Sequence, residues 1–185
     1  MNYVGLDISM RSTGFVVIDH DGIVLRHEVI GKTLKEQPCR TIEQRIRYYA
    51  EVGNTIRSAI VPFGEELDIG VEGYSMHGKG DLTIAPELGG IVRLGLLGFG
   101  RIHEIPPAAL KKFATGKGNA PKDSVMLNVY KRWGVDFDDN NLADAYVLAR
   151  IALHLHQFDR GGLTAPQKEV LLKLGGHGGP DAKAG

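Results

Sequence analysis

Cysteine is almost missing from this chain: Cys39 is the one sulfhydryl in 185 residues. That excludes an intramolecular disulfide and any zinc site built on a cysteine cluster. Net charge is missing as well, because 22 Lys plus Arg are set against 22 Asp plus Glu. A uniformly basic coat for nucleic acid is therefore excluded, while local patches stay open. No run approaches the ~20 apolar residues that a membrane helix needs. The segment MNYVGLDIS lacks a basic stretch leading into an apolar one, so no secretory signal is expected and the setting reads as reducing and cytoplasmic. What is present is ordinary globular composition, 43% hydrophobic and 24% charged. Glycine is the exception, with 25 residues, near twice the typical ~7%.

The pattern along the chain predicts an α/β fold. NYVGLDIS (2–9), TGFVVI (13–18) and IVLRHEVI (23–30) read as three consecutive antiparallel strands, with DHDG supplying a turn. Apolar residues at helical spacing (Ile42, Ile46, Tyr49, Val52, Ile56, Ala59) predict a helix from Thr41 to about Ile60, closed by Pro62. LDIGVEGY (67–74) reads as a buried strand. Residues 81–99 form a Gly-broken apolar helix that Asp81 can cap, and GRIHEI (100–105) is a short strand. Helices follow in PPAALKKFAT, PKDSVMLNVYKRW and the stretch carrying Asp144 through His156. Hairpins first and strand–helix–strand units later imply a mixed sheet flanked by helices. Residues 1–160 are expected to form one domain, and 161–185 a short helix with a flexible Gly-rich tail.

Carboxylates sit where such a fold does not need them. Asp7 lies inside VGLDIS, Glu72 ends DIGVEGY's apolar run, and Asp144 stands between Ala143 and Ala145 on an apolar helix. Asn141 is three residues before Asp144, on the same helical face. Buried carboxylates must be paired, neutral or bound to cations, and hard oxygen donors suit Mg²⁺ or Mn²⁺. Taken singly, Asp7 could merely end a strand and Asp144 could face solvent. Asp138, Asp139 and Asn140, near a helix start, read as caps before ligands. His154 and His156 read as surface or helix-end residues, and Arg93, Lys79 and Arg11 as ordinary surface charge.

The ordered set GLDISMRSTGFVVI, VEGY, LKKFATGKGNAPKD and NLADAYVLARIAL resembles the RuvC family of Holliday-junction resolvases, in particular its short bacteriophage members. The likeness runs from about residue 2 to 157. It implies an RNase H-like fold with a mixed five-stranded sheet, hence a nuclease domain over 1–160. It implies phosphodiester hydrolysis with two Mg²⁺ ions, for which Mn²⁺ can substitute, held by Asp7, Glu72, Asn141 and Asp144. Bacterial members usually carry an acid where this chain has Asn141; the amide carbonyl can still bind a hard cation, and Asp139 is the alternative fourth ligand. Lys111 and Lys122 fall on the family's lysine positions, Lys122 beside the scissile phosphate as a catalytic residue. Tyr74 can take the family's base-stacking role only if its strand has already ended, since the matching position is Ser75.

Local charge agrees with a DNA partner. Arg101 to Gly134 carries +5, with Lys111, Lys112 and Lys117 as DNA contacts, and residues 135–144 carry −4. GKGN can bring backbone N–H groups to phosphates, but no Walker motif is present and no nucleotide cofactor is expected. A four-way junction is near two-fold symmetric, so a homodimer is expected, with the helix LTIAPELGGIVRLGLLGFG as its implied contact or, alternatively, buried within one domain. Two other readings stand beside the endonuclease: a junction-binding protein whose cleavage is weakened by Asn141, and an actin-like phosphotransferase using GLDISMRSTG for phosphate.

Overall fold

A computed structural model describes residues 1–9, 12–31, 41–74, 84–121, 123–157 and 161–175. Lys122, Ser75, Asp81, Lys79, Arg11, Cys39 and the tail from 176 lie outside the described residues. The strands are β1 (Asn2–Asp7), β2 (Thr13–Ile18), β3 (Val24–Ile30), β4 (Leu67–Glu72) and β5 (Gly100–Ile105). The helices are α1 (Ile42–Ile60), α2 (Ile84–Leu96), α3 (Pro107–Thr115), α4 (Asp123–Trp133), α5 (Asn140–His156) and α6 (Ala165–Lys173). The five strands form one sheet in the order β3-β2-β1-β4-β5. The first three are antiparallel neighbours, while β4 runs parallel to β1 and β5 parallel to β4. This is the mixed sheet that the order of hairpins and crossovers predicts.

Alternation in the strands sorts two cores. Val4, Leu6, Phe15, Val17, Leu67, Ile69 and Val71 pack with α1 and α2 on one face. Tyr3, Val16 and Ile18 pack on the other, with α5 and parts of α3, α4 and α6. Helix α1 begins with a capping box, Thr41 Oγ1 accepting from Gln44 N at 3.2 Å and Gln44 Oε1 accepting from Thr41 N at 3.3 Å. Its buried stripe is Tyr48, Tyr49, Val52, Ile56, Ala59 and Ile60. Ile42 and Ile46, expected in that stripe, are exposed, because they precede the part of the helix that covers the sheet.

Helix α5 lies unusually deep. A Cβ on Gly5 would strike the Ala145 carbonyl, one on Gly14 the Asn141 carbonyl, and one on Gly70 the Leu148 carbonyl. These glycines sit on β1, β2 and β4, so three adjacent strands together form a trench for one helix. Much of the glycine on these strands is explained by that approach.

The far end of the sheet holds a carboxylate that the sequence reading passed over. Asp68 is 1% exposed, with His103 Nε2 at 2.7 Å from one oxygen and His156 Nδ1 at 3.0 Å from the other. The two imidazoles flank a charge that would otherwise be costly to bury. His156 is an exposed residue of the last turn of α5, as expected, and from there it also ties the helix end to β4 and lies by the Tyr3 ring. His154, by contrast, is not the surface residue expected: it is buried beside Phe113.

Candidate active site

Asp7 and Glu72 are the last residues of β1 and β4. Their strands run parallel, and the last paired residues are Leu6 and Val71, so the two carboxylates follow side by side on strands about 4.8 Å apart. Asp7 shares a face with Tyr3 and Gly5, and Glu72 shares one with Asp68 and Gly70. Both faces are the α5 side. Asp7 is only 7% exposed.

The first turns of α5 come down on the same end. Gly14, whose partner across the sheet is Asp7, lies under Asn141. Gly5, two residues before Asp7, lies under Ala145, next to Asp144. Asn141 and Asp144, at i and i+3, are therefore carried to the C-terminal end of β1 and β4. Asp139 is the N-cap of α5, its Oδ1 accepting from Asn141 N at 2.8 Å. The helix N-terminus, with its partial positive charge, is directed at the carboxylate end of the sheet.

Hydroxyls lace the connection from β1 to β2. Thr13 Oγ1 donates to Ser9 O at 3.1 Å, Ser9 Oγ donates to Ser12 O at 3.0 Å, and Ser12 N donates back to Ser9 Oγ at 3.1 Å. Ser12 Oγ accepts from Asn141 Nδ2 at 2.9 Å. The amide nitrogen of Asn141 is thereby engaged, and its carbonyl oxygen is the end turned to other donors or cations. Ser9 and Thr13 thus bond within the connection, while Ser12 Oγ reaches α5.

Beyond Glu72 the strand has ended, as the stacking role of Tyr74 requires. The ring is turned onto α2: Tyr74 OH donates to Pro86 O at 3.2 Å, and the Arg93 guanidinium lies 4.6 Å from the ring centroid. Arg93 was expected to be ordinary surface charge, yet its side chain is 18% exposed. Its Nη1 donates to Tyr74 OH at 2.7 Å and its Nη2 to the Glu72 carbonyl at 3.0 Å, and Nη2 lies 3.2 Å from Glu104 Oε2. Sequence reasoning missed this role because all three partners lie on other elements.

Among the lysines, Lys111 is partly buried on α3 and Lys117 is exposed in the loop after it. Lys112 Nζ lies 2.6 Å from Glu169 Oε1, across the α3–α6 contact. Because Ile105 pairs with Glu72, α3 starts from the carboxylate end of the sheet. Elsewhere, Asp19, His20 and Asp21 have their ligand atoms within 4.8 Å of one another. It is the β2–β3 turn, about 17 Å along the strand from Gly14. There Asp19 Oδ1 accepts from Asp21 N and Ile23 N, each at 2.9 Å. Burial would raise the Asp19 pKa, but backbone hydrogen bonds from Ile23, Asp21 and Gly22 together with His20 hold it below the usual value.

The sheet order, the parallel β1–β4 pair and the helix across it define an RNase H-like fold. No protein-family model matches the chain. It is 23% identical over 175 residues to the crossover junction endodeoxyribonuclease RuvC of Wolinella succinogenes, covering 88% of this chain and 99% of that protein. It is also similar in fold to a Thermus thermophilus RuvC structure, with TM-score 0.59, 22% identity, and 83% of this chain and 93% of that one covered. For T. thermophilus RuvC in complex with Holliday junction substrate the values are TM-score 0.63, 19% identity, 83% and 92%. In sequence and in fold, the chain is similar to RuvC. Among the described residues, no helix is long and apolar enough to cross a membrane.

Proposed function

We propose that the chain is a RuvC-family crossover junction endodeoxyribonuclease that resolves Holliday junctions by metal-dependent hydrolysis. The observation that carries this reading is the meeting of two carboxylate-ended parallel strands with the α5 turn bearing Asn141 and Asp144, in a chain similar to RuvC over most of its length. The donor set is all oxygen, with neither thiolate nor imidazole among the proposed ligands, and so fits Mg²⁺ or Mn²⁺.

Asp7, Glu72, Asn141 and Asp144 would hold two divalent ions. When bound, such ions activate water and stabilise the attacking and leaving oxygens of an in-line displacement. The chain's own residues do the rest. Asp7 is nearly buried at its strand end, while Glu72, Asn141 and Asp144 around it are partly exposed, which leaves the site open to water and substrate. Lys122 offsets charge at the scissile phosphate, and Lys111 and Lys117 hold the strand. Lys112 is the weaker DNA contact of the set, because Glu169 already engages it.

A second copy would bring the paired active site that a four-way junction calls for. The end of helix α2 supports this, with Leu94 on its last turn and Leu97 just past it exposed to 69% and 66%. The test is a labelled four-way junction, incubated with Mg²⁺ beside a linear duplex and a fork. Paired nicks near the junction centre, lost with EDTA, are expected. Tight junction binding without nicks in Mg²⁺ or Mn²⁺ would instead favour a binding module weakened at Asn141.

A further inference from the structure

Glu72 lies one residue past the last pair between β1 and β4. Its carbonyl is therefore beyond that ladder, and a side chain from α2 takes it up: Arg93 Nη2 donates to it at 3.0 Å. The same guanidinium reaches Tyr74 OH through Nη1 at 2.7 Å, lies 3.2 Å from Glu104 Oε2 on β5, and covers the Tyr74 ring at 4.6 Å. Four contacts to three residues, Glu72, Tyr74 and Glu104, hold one rigid fork, which a flexible ammonium could not reproduce.

The helix is cut to fit this fork. Gly89 stands one turn before Arg93, and a Cβ there would come within 2.6 Å of Arg93 Nη1 and against the Tyr74 hydroxyl. The absence of a side chain at that position leaves room for the Tyr74 hydroxyl and the Arg93 guanidinium in their present places. Arg93 in turn grips the Glu72 backbone while directing its charge to Glu104, so it steadies the carboxylate-bearing residue through main chain. Groups that orient metal ligands in this indirect way commonly change metal affinity or activity by about 10–100-fold when removed.

We infer that Arg93 is a positioning residue for Glu72: it sets the place of the second strand-borne carboxylate from α2, and with it the affinity of the site for divalent ions. The inference rests on the metal-dependent nuclease reading above. Its test uses the full-length protein and the variants Arg93→Gln, Arg93→Lys and Glu104→Gln, with thermal melting to confirm folding. Mn²⁺ binding is read by electron paramagnetic resonance without DNA, junction affinity is read in EDTA, and single-turnover cleavage is titrated with Mg²⁺.

Arg93→Gln is expected to weaken Mn²⁺ binding about 10–100-fold and to raise the Mg²⁺ needed for half-maximal cleavage in parallel. Junction affinity in EDTA should stay near wild type. Arg93→Lys, with charge but no fork, should fall between, and Glu104→Gln should shift Mn²⁺ binding in the same direction by less. A folded Arg93→Gln that binds Mn²⁺ as wild type does overturns the inference while leaving the nuclease reading intact. So does one that loses only junction affinity, which would make Arg93 a DNA contact. Should Arg93→Gln not fold, Arg93→Lys and Glu104→Gln decide by the same measures, and wild-type Mn²⁺ binding in both overturns it. A wild-type protein that neither binds Mn²⁺ nor cuts any branched DNA overturns the nuclease reading, and this inference with it.

Discussion

Asn141 donates its side-chain amide to the Ser12 hydroxyl at 2.9 Å, joining the start of α5 to the turn between β1 and β2. That contact selects which end of the amide is left for a cation. Asn141→Asp should keep cleavage and lower the Mg²⁺ concentration for half-maximal rate, since a charged ligand holds the ion more tightly. Asn141→Leu should raise it or abolish cleavage. Ser12→Ala, which frees the amide to rotate, should raise it to a lesser extent. Asp139→Ala is the contrast: it removes the cap of α5 and should cost about 1 kcal/mol of stability with little change in the metal titration. If Asp139→Ala alone moves the titration, the fourth ligand is Asp139.

Asp7→Asn should abolish nicking while junction affinity in EDTA stays within about tenfold, because phosphate contacts dominate binding. Single-turnover cleavage and gel-shift titration of the same preparation check this. Nicking near the wild-type rate by pure mutant protein would remove Asp7 from the proposed ligand set.

Lys122→Ala should lower the single-turnover rate more than it lowers junction affinity, since its charge acts most as the transition state forms. Equal rate at saturating DNA would make the lysine an ordinary phosphate contact or an exposed residue.

Gly5→Ala should destabilise the protein by about 1–3 kcal/mol or more, because the added methyl meets backbone that cannot swing aside. Gly90→Ala, where nothing lies within 4 Å, should instead gain roughly 0.5–1 kcal/mol of helix stability. Urea midpoints for the two variants separate an obligatory glycine from a permissive one.

The Asp19 turn predicts a pH dependence. Its folded pKa is depressed, so its contribution is present above the unfolded value of about 3.9 and lost as pH falls through the folded value. Wild type should exceed Asp19→Ala in stability at neutral pH, and the gap should narrow at pH values well below 3.9. A gap that does not change with pH would place the effect in the turn geometry rather than the charge.

Much of this arrangement is legible in the sequence. Short runs with turn residues between them define β1 to β3, and capping at Thr41 and Asp139 marks where α1 and α5 begin. What stayed hidden depends on contacts between distant elements. Asp68 in LDIGVE looks like the polar start of a strand until His103 and His156 arrive from β5 and α5. Arg93 looks like surface charge because nothing near it in sequence shows that Glu72, Tyr74 and Glu104 converge on it. His154 sits near a helix end, where exposure is the usual outcome, but α3 covers it with Phe113. The carboxylates of Asp7, Glu72 and Asp144 stood out because they interrupt apolar runs, which is a local signal.

The glycine trench beneath α5 also governs how this chain can change by mutation. Glycine has no smaller replacement, and at Gly5, Gly14 and Gly70 the next larger residue already collides with helix backbone. The gap between helix and sheet therefore has no fine adjustment, only its present value or a displaced helix. Saturation mutagenesis should find these three positions closed. Variation that preserves function must then accumulate in the side chains above the trench, with position 141 as the place where one atom exchange alters the charge of the site and leaves its depth untouched.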